Sequence, residues 1–123
     1  MNDVSRREGN PARNGAVFDP AEASRALGLT LEEFAPLLAK AAGEIRIRLD
    51  AVRQGVAEED LRAVALNSHT LKSVVATLRA EAVREAAIDM ERCAKAGECA
   101  RCAGMLACLE ERAAELLAEL DRA

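Results

Sequence analysis

The stretch "AEEDLRAVALNSHTLKSVVATLRA", Ala57 to Ala80, decides how this chain folds. Leu61, Val64, Ser68, Leu71, Val75 and Leu78 recur at intervals of three and four. That period places them on one stripe of an α-helix and on no single face of a strand. A helix with one apolar stripe must cover it with other elements. Successive helical residues turn by about 100°, so His69, the only histidine, falls roughly 120° from the centre of the stripe. It sits at the flank, neither in the core nor opposite it.

The segments on either side repeat the pattern. Upstream, "TLEEFAPLLAKAAGEIRIRLDAVRQG" opens on a capping box, Thr30 with Glu33. Phe34, Leu37, Leu38, Ala41, Ile45, Leu49 and Val52 follow at helical spacing, and Gly55 is the expected stop. Pro36 removes one backbone donor and should bend the first turns. Before it, "FDPAEASRALGL" predicts a short helix over Pro20 to Leu27, with Asp19 as N-cap, Pro20 at the first position and Gly28 as the stop. Downstream, "EAVREAAIDMERCAKAG" offers Val83, Ala86, Ala87, Met90 and Ala94 and closes at Gly97. "ECARCAGMLACLEERAAELLAELDR" offers Cys102, Met105, Leu106, Leu109, Ala113, Leu116, Leu117 and Leu120. No Gly or Pro marks the boundary after Leu78, where Arg79 and Ala80 could continue the helix.

Four long amphipathic segments with short connections predict an all-α fold, an antiparallel up-down four-helix bundle with a short additional N-terminal helix, over residues 18–123. Residues 1–17 are polar and carry no face to bury, so a disordered arm is expected there. The whole chain has 123 residues, the size of one domain. Half of it is hydrophobic but only 2% aromatic, which suits closely packed helices better than a sheet.

Composition also narrows the function. A net charge of −4 argues against a nucleic-acid binder, which needs clustered Lys and Arg. No apolar run approaches the roughly 20 residues that cross a bilayer, and the first residues hold no hydrophobic signal core. A cytoplasmic, monomeric protein with reduced cysteines is expected. Cys93, Cys99, Cys102 and Cys108 include a CxxC pair, but Cys108 lies about 180° from Cys99 around one helix. No second histidine completes a tetrahedral set, so no metal site is expected and the thiols read as small buried hydrophobes. There is no P-loop and no Gly-rich kinase loop, so neither ATP binding nor self-phosphorylation is expected.

The neighbours of His69 are informative. Ser73 and Ala76 continue its line along the helix and are small, leaving the imidazole clear of the surface. Leu66 and Arg62 lie near the same line on the other side. Lys72 falls between that line and the core, where its stem can lie on apolar surface while its ammonium reaches out. A positive charge one turn from a histidine fits a histidine that must carry an anion.

These residues resemble the histidine-phosphotransfer (HPt) domain. "SHTLKSVVATL" is similar to that family's signature, His-x-Leu-Lys-Gly followed by small residues and a leucine. "AVREAAIDMERCAKAGE" resembles the family's next helix, and the likeness runs from about Asp19 onward. The resemblance implies that His69 is phosphorylated, that Lys72 sits beside the phosphoryl group, and that Glu91 hydrogen-bonds the other ring nitrogen. It implies a relay from a sensor histidine kinase or a receiver-domain aspartate to another receiver. The docking surface would be Arg62, Leu66, Lys72, Ser73 and Ala76. No cofactor is expected on this chain, since the receiver brings the aspartate and Mg²⁺. Two positions depart from the pattern: Ser73 and Arg79 stand where the family has glycine. The alternative is a helical adaptor of the same fold whose histidine is never phosphorylated.

Overall fold

A computed structural model describes residues 18–122, and the segment 1–17, expected as a disordered arm, lies outside the described residues. Five helices follow one another: α1 (Pro20–Ala26), α2 (Leu31–Ala57), α3 (Leu61–Thr77), α4 (Glu81–Lys95) and α5 (Cys99–Arg122). Residues 58–60, 78–80 and 96–98 are the only connections among the last four. Such short turns force each helix to run antiparallel to the one before. α2 packs on α3 and α5, α4 packs on the same two, and α1 lies against α2. The result is an antiparallel up-down four-helix bundle with a short leading helix. No helix among the described residues is long and apolar enough to cross a membrane.

The helix starts follow the side-chain chemistry. Asp19 accepts from the Glu22 amide at 3.1 Å, and Asp60 accepts from the Ala63 amide at 3.1 Å. The capping box closes both ways: the Glu33 amide donates to Thr30 Oγ1 at 3.0 Å, and the Thr30 amide donates to Glu33 Oε1 at 2.9 Å. α4 starts on Ala80 with no side-chain cap.

The first four helices end alike. A residue in the left-handed region follows each C-cap: Gly28 (φ 73°), Glu59 (φ 56°), Arg79 (φ 58°) and Gly97 (φ 76°). The next amide then reaches back into the last turn, as Ala80 N does to Val75 O at 3.1 Å and Asp60 N to Gly55 O at 2.8 Å. The unmarked boundary after Leu78 is therefore made by Arg79, a residue that adopts this conformation against its preference. Gly55 does not stop α2, which continues to Ala57. It is buried, and a Cβ there would stand 2.9 Å from Val64 Cγ2 and 3.3 Å from the Asp60 carbonyl. Its role is to let the first turn of α3 close against α2.

The core holds most of the predicted stripes, while Ala41, Leu61, Met105, Leu106 and Leu117 are only partly buried against it. Phe34, Ile45, Leu71, Met90, Leu109 and Leu116 are fully buried. Two expectations change. Leu37 is 45% exposed while Ala42 is buried, because the apolar arc of α2 is wider than the surface its neighbours cover. Cys93 and Cys102 are buried as small hydrophobes, but Cys99 is half-buried and Cys108 exposed, on the outer side of α5.

Candidate functional site

His69 lies in the middle of α3, and Glu91 lies in the last turns of α4, which runs antiparallel beside it. Glu91 faces α3 and is buried, with only 8% of its side chain exposed. An ionised carboxylate taken out of water needs partners, and three surround it. Lys72 donates to Oε1 at 2.9 Å. His69 Nδ1 stands 3.1 Å from Oε2, and Lys95 Nζ stands 3.0 Å from the same oxygen. Burial pushes the Glu91 carboxyl up, but hydrogen bonds from Lys72, Lys95 and His69 outweigh it and hold the group at about 2, below its ordinary 4.5.

That charge state fixes the imidazole. A carboxylate can only accept, so the nitrogen facing it must carry the proton, and Nδ1–H donates to Oε2. In the neutral ring Nε2 then holds the free lone pair. Among the described residues nothing hydrogen-bonds to Nε2, and the side chain of His69 is 54% exposed. The ring is held from beneath by one nitrogen and offered to solvent by the other.

The structure brings His69, Lys72 and Glu91 into one cluster. Lys72, with 28% of its side chain exposed, has its ammonium on the carboxylate. Arg62, Leu66, Ser73 and Ala76 are all exposed and follow one line along α3 on either side of His69. Leu66 keeps 63% of its surface in solvent. The Ser73 hydroxyl turns back and donates to the His69 carbonyl at 3.3 Å, so it leaves the space before the ring open.

Two members of the surroundings were missed in the sequence. Lys95 follows Glu91 by four residues, the spacing at which helical Glu and Lys pair, and that spacing could have found it. Asn67 is buried beside α2: Arg48 donates to its Oδ1 at 3.0 Å, and its own amide donates to the Ala63 carbonyl at 2.9 Å. Asn67 follows Val64 by three residues and precedes Leu71 by four, so helical spacing could have placed it toward the buried side.

On the α2 side of α3, a shallow apolar groove is lined by Leu27, Phe34, Leu37, Ala41, Val74 and Leu78. Ser73 also borders it, so the groove is continuous with the line of exposed residues around His69.

The sequence profile of the Hpt domain matches residues 25–123. The chain belongs to the Hpt domain family. Hpt domains take part in two-component phosphotransfer with receiver and kinase partners, and the matched region includes the His69 cluster and all four bundle helices. Comparison with curated proteins and with solved structures finds no match to this chain. Of the two positions where the resemblance leads one to expect glycine, Arg79 sits in the left-handed region, where glycine would be free of strain. Its Nε lies 3.7 Å from Glu22 Oε1, tying the turn to α1.

Proposed function

We propose that this Hpt domain is a cytoplasmic phosphorelay intermediate that carries a phosphoryl group on His69. The observation that supports it most is the pairing of a buried, ionised Glu91 with Nδ1, which leaves the exposed imidazole a lone pair on Nε2. Nε2 attacks the phosphorus of a receiver's aspartyl phosphate, or of a phosphorylated kinase. An N–P bond forms, the bond from phosphorus to the donor breaks, and its electron pair leaves with the donor group. The Nδ1 proton stays in place, and the positive charge that develops on the ring is offset by Glu91. The reverse sequence delivers the group to the next receiver.

Phosphoryl transfer needs mainly positioning and charge neutralisation, and this chain supplies a ring held through Glu91, the carboxylate that also holds the Lys72 ammonium one turn away. The acceptor aspartate and Mg²⁺ belong to the receiver, so no cofactor is assigned to this chain. The receiver docks on Arg62, Leu66, Ser73 and Ala76 and extends over the groove beside them, excluding water from the transfer. The chain acts as a monomer in this scheme.

The test is incubation with phosphorylated receivers from the same cell. Acid-labile phosphate should appear on the wild-type chain and be absent from His69→Gln. Label on His69→Gln would mean that another residue accepts the phosphate, and none on the wild type with any receiver would leave the domain as an adaptor of the same fold.

A further inference from the structure

Glu91 has two oxygens and three cationic or donor neighbours, and they are not shared evenly. Lys72 holds Oε1 from α3, at 2.9 Å. Lys95 holds Oε2 from α4, at 3.0 Å, and the His69 ring meets that same oxygen at 3.1 Å. A carboxylate beside a single ammonium can turn both oxygens toward it. A second ammonium on the other oxygen opposes that rotation and keeps Oε2 where the imidazole needs it.

We propose that Lys95 is a positioning residue for His69, acting through Oε2 of Glu91. The inference rests on His69 being the reacting group. The sequence arrangement suits the role. Lys95 lies one turn after Glu91 in the last turn of α4, where a cation is also favoured by the helix dipole. Its side chain is 67% exposed, so the ammonium reaches the carboxylate from the solvent side and no packing depends on it. Lys72 alone, drawing from α3, would compete with the ring for the carboxylate. Lys72 and Lys95 together leave the ring a defined share. The groups facing Glu91 are His69 and Lys72 from α3 and Lys95 from its own helix; Arg92 and Ile88 border the same shallow hollow without pairing with it.

The experiment compares wild type, Lys95→Met and Lys95→Arg. Ring ¹⁵N signals give the tautomer of His69 in the unphosphorylated protein, and transfer from a phosphorylated receiver gives the rate. Lys95→Met should reduce the ratio of Nδ1–H to Nε2–H tautomers by about two- to threefold, the scale of one exposed ion pair. It should slow transfer by a similar factor, with only the small loss of stability expected of one exposed i,i+4 pair. Lys95→Arg should restore both. An unchanged tautomer ratio in Lys95→Met would overturn the proposal. So would a rise in the Nδ1–H form, which would make Lys95 a competitor of the ring. The ring signals need no phosphoryl donor. Failure of His69 to accept phosphate would therefore show in the rate measurement alone and is distinguishable from failure of the positioning role.

Discussion

The two flanks of α3 are built from opposite materials. On the α4 side a buried carboxylate gathers two ammonium groups and an imidazole within 3.1 Å. On the α2 side there is an apolar groove floored by buried Leu78 and rimmed by two leucines that stay in solvent, Leu27 at 46% and Leu37 at 45% exposure. Charge fixes direction, because a hydrogen bond weakens steeply as its angle departs from linearity. Apolar area fixes nothing in direction but contributes on contact with almost any complementary surface. In the proposed relay, one helix thus separates the orientation of the His69 ring from the adhesion of the partner. Substitutions on the α4 flank should change the transfer rate at saturating partner, and those on the α2 flank and outer face should change affinity.

The largest break in this separation is expected from Ala76→Arg. Ala76 is exposed on the line of His69, outside the core, and Arg is a good helix former, so the fold should be untouched. A long charged side chain inside a dry contact should weaken receiver binding by about a hundredfold. Titration of a cognate receiver checks it. Equal affinity would mean that the partner docks elsewhere and that His69 is not where the protein works.

Glu91→Gln tests the opposite flank. The amide keeps the shape and can still accept from Nδ1–H, but both ammonium groups lose their counter-charge. Transfer at saturating receiver should fall about tenfold through lost orientation, with affinity within about twofold. Stability should respond to pH with a defined sign. The Glu91 carboxyl is depressed in the folded state from 4.5 to about 2, so its contribution is fully present above 4.5 and disappears as pH falls through 2. The shift corresponds to at most about 3 kcal/mol. Urea unfolding should show wild type more stable than Glu91→Gln at pH 6, with the difference shrinking between pH 4.5 and 2. A constant difference would mean that the carboxylate's ionisation is not what the three partners support.

A smaller effect is expected from Leu37→Ser. The exposed part of that leucine can contribute about 1 kcal/mol when a partner covers it, which is about fivefold in affinity. The rate constant at saturating receiver should not move. A change in rate with unchanged affinity would erase the division between the flanks.

What the sequence shows and hides follows the same physics. Helices were legible because their stripes are periodic, and His69 at the flank was legible because angle follows from spacing. Its proximity to Lys72 came from helical spacing, whereas the link to Glu91 came only from family resemblance, since no local rule relates residues 22 positions apart. Leu37 continues the stripe yet lies half in solvent, because periodicity gives the direction of a stripe and not the width that neighbours will cover. Gly55 looks like a stop in the sequence because glycine at a helix end and glycine at a close helix contact are alike in one dimension. The end of α3 was invisible because Arg79 does the work usually signalled by glycine.

That last position gives the smallest and cleanest test. Arg79 and Glu59 hold left-handed backbone with a side chain, whereas Gly28 and Gly97 hold it without one. A non-glycine residue there costs about 1 kcal/mol relative to glycine. The pair from Arg79 to Glu22 spans 3.7 Å between two exposed side chains, so its loss costs at most a few tenths of a kcal/mol. Arg79→Gly should therefore stabilise the domain by about 0.5 kcal/mol and raise its melting temperature by about 2–4 °C. Scanning calorimetry checks the sign. Arg79 follows the end of the helix that carries the candidate site, turns toward Glu22 of α1, and pairs with neither His69 nor Glu91. Transfer at saturating receiver should consequently be unchanged. A fall in receiver affinity with the rate intact would place the Arg79 charge on the docking side of the division. A fall in the rate itself would mean that the turn between α3 and α4 controls how Glu91 meets the ring, and that the two flanks are coupled through it.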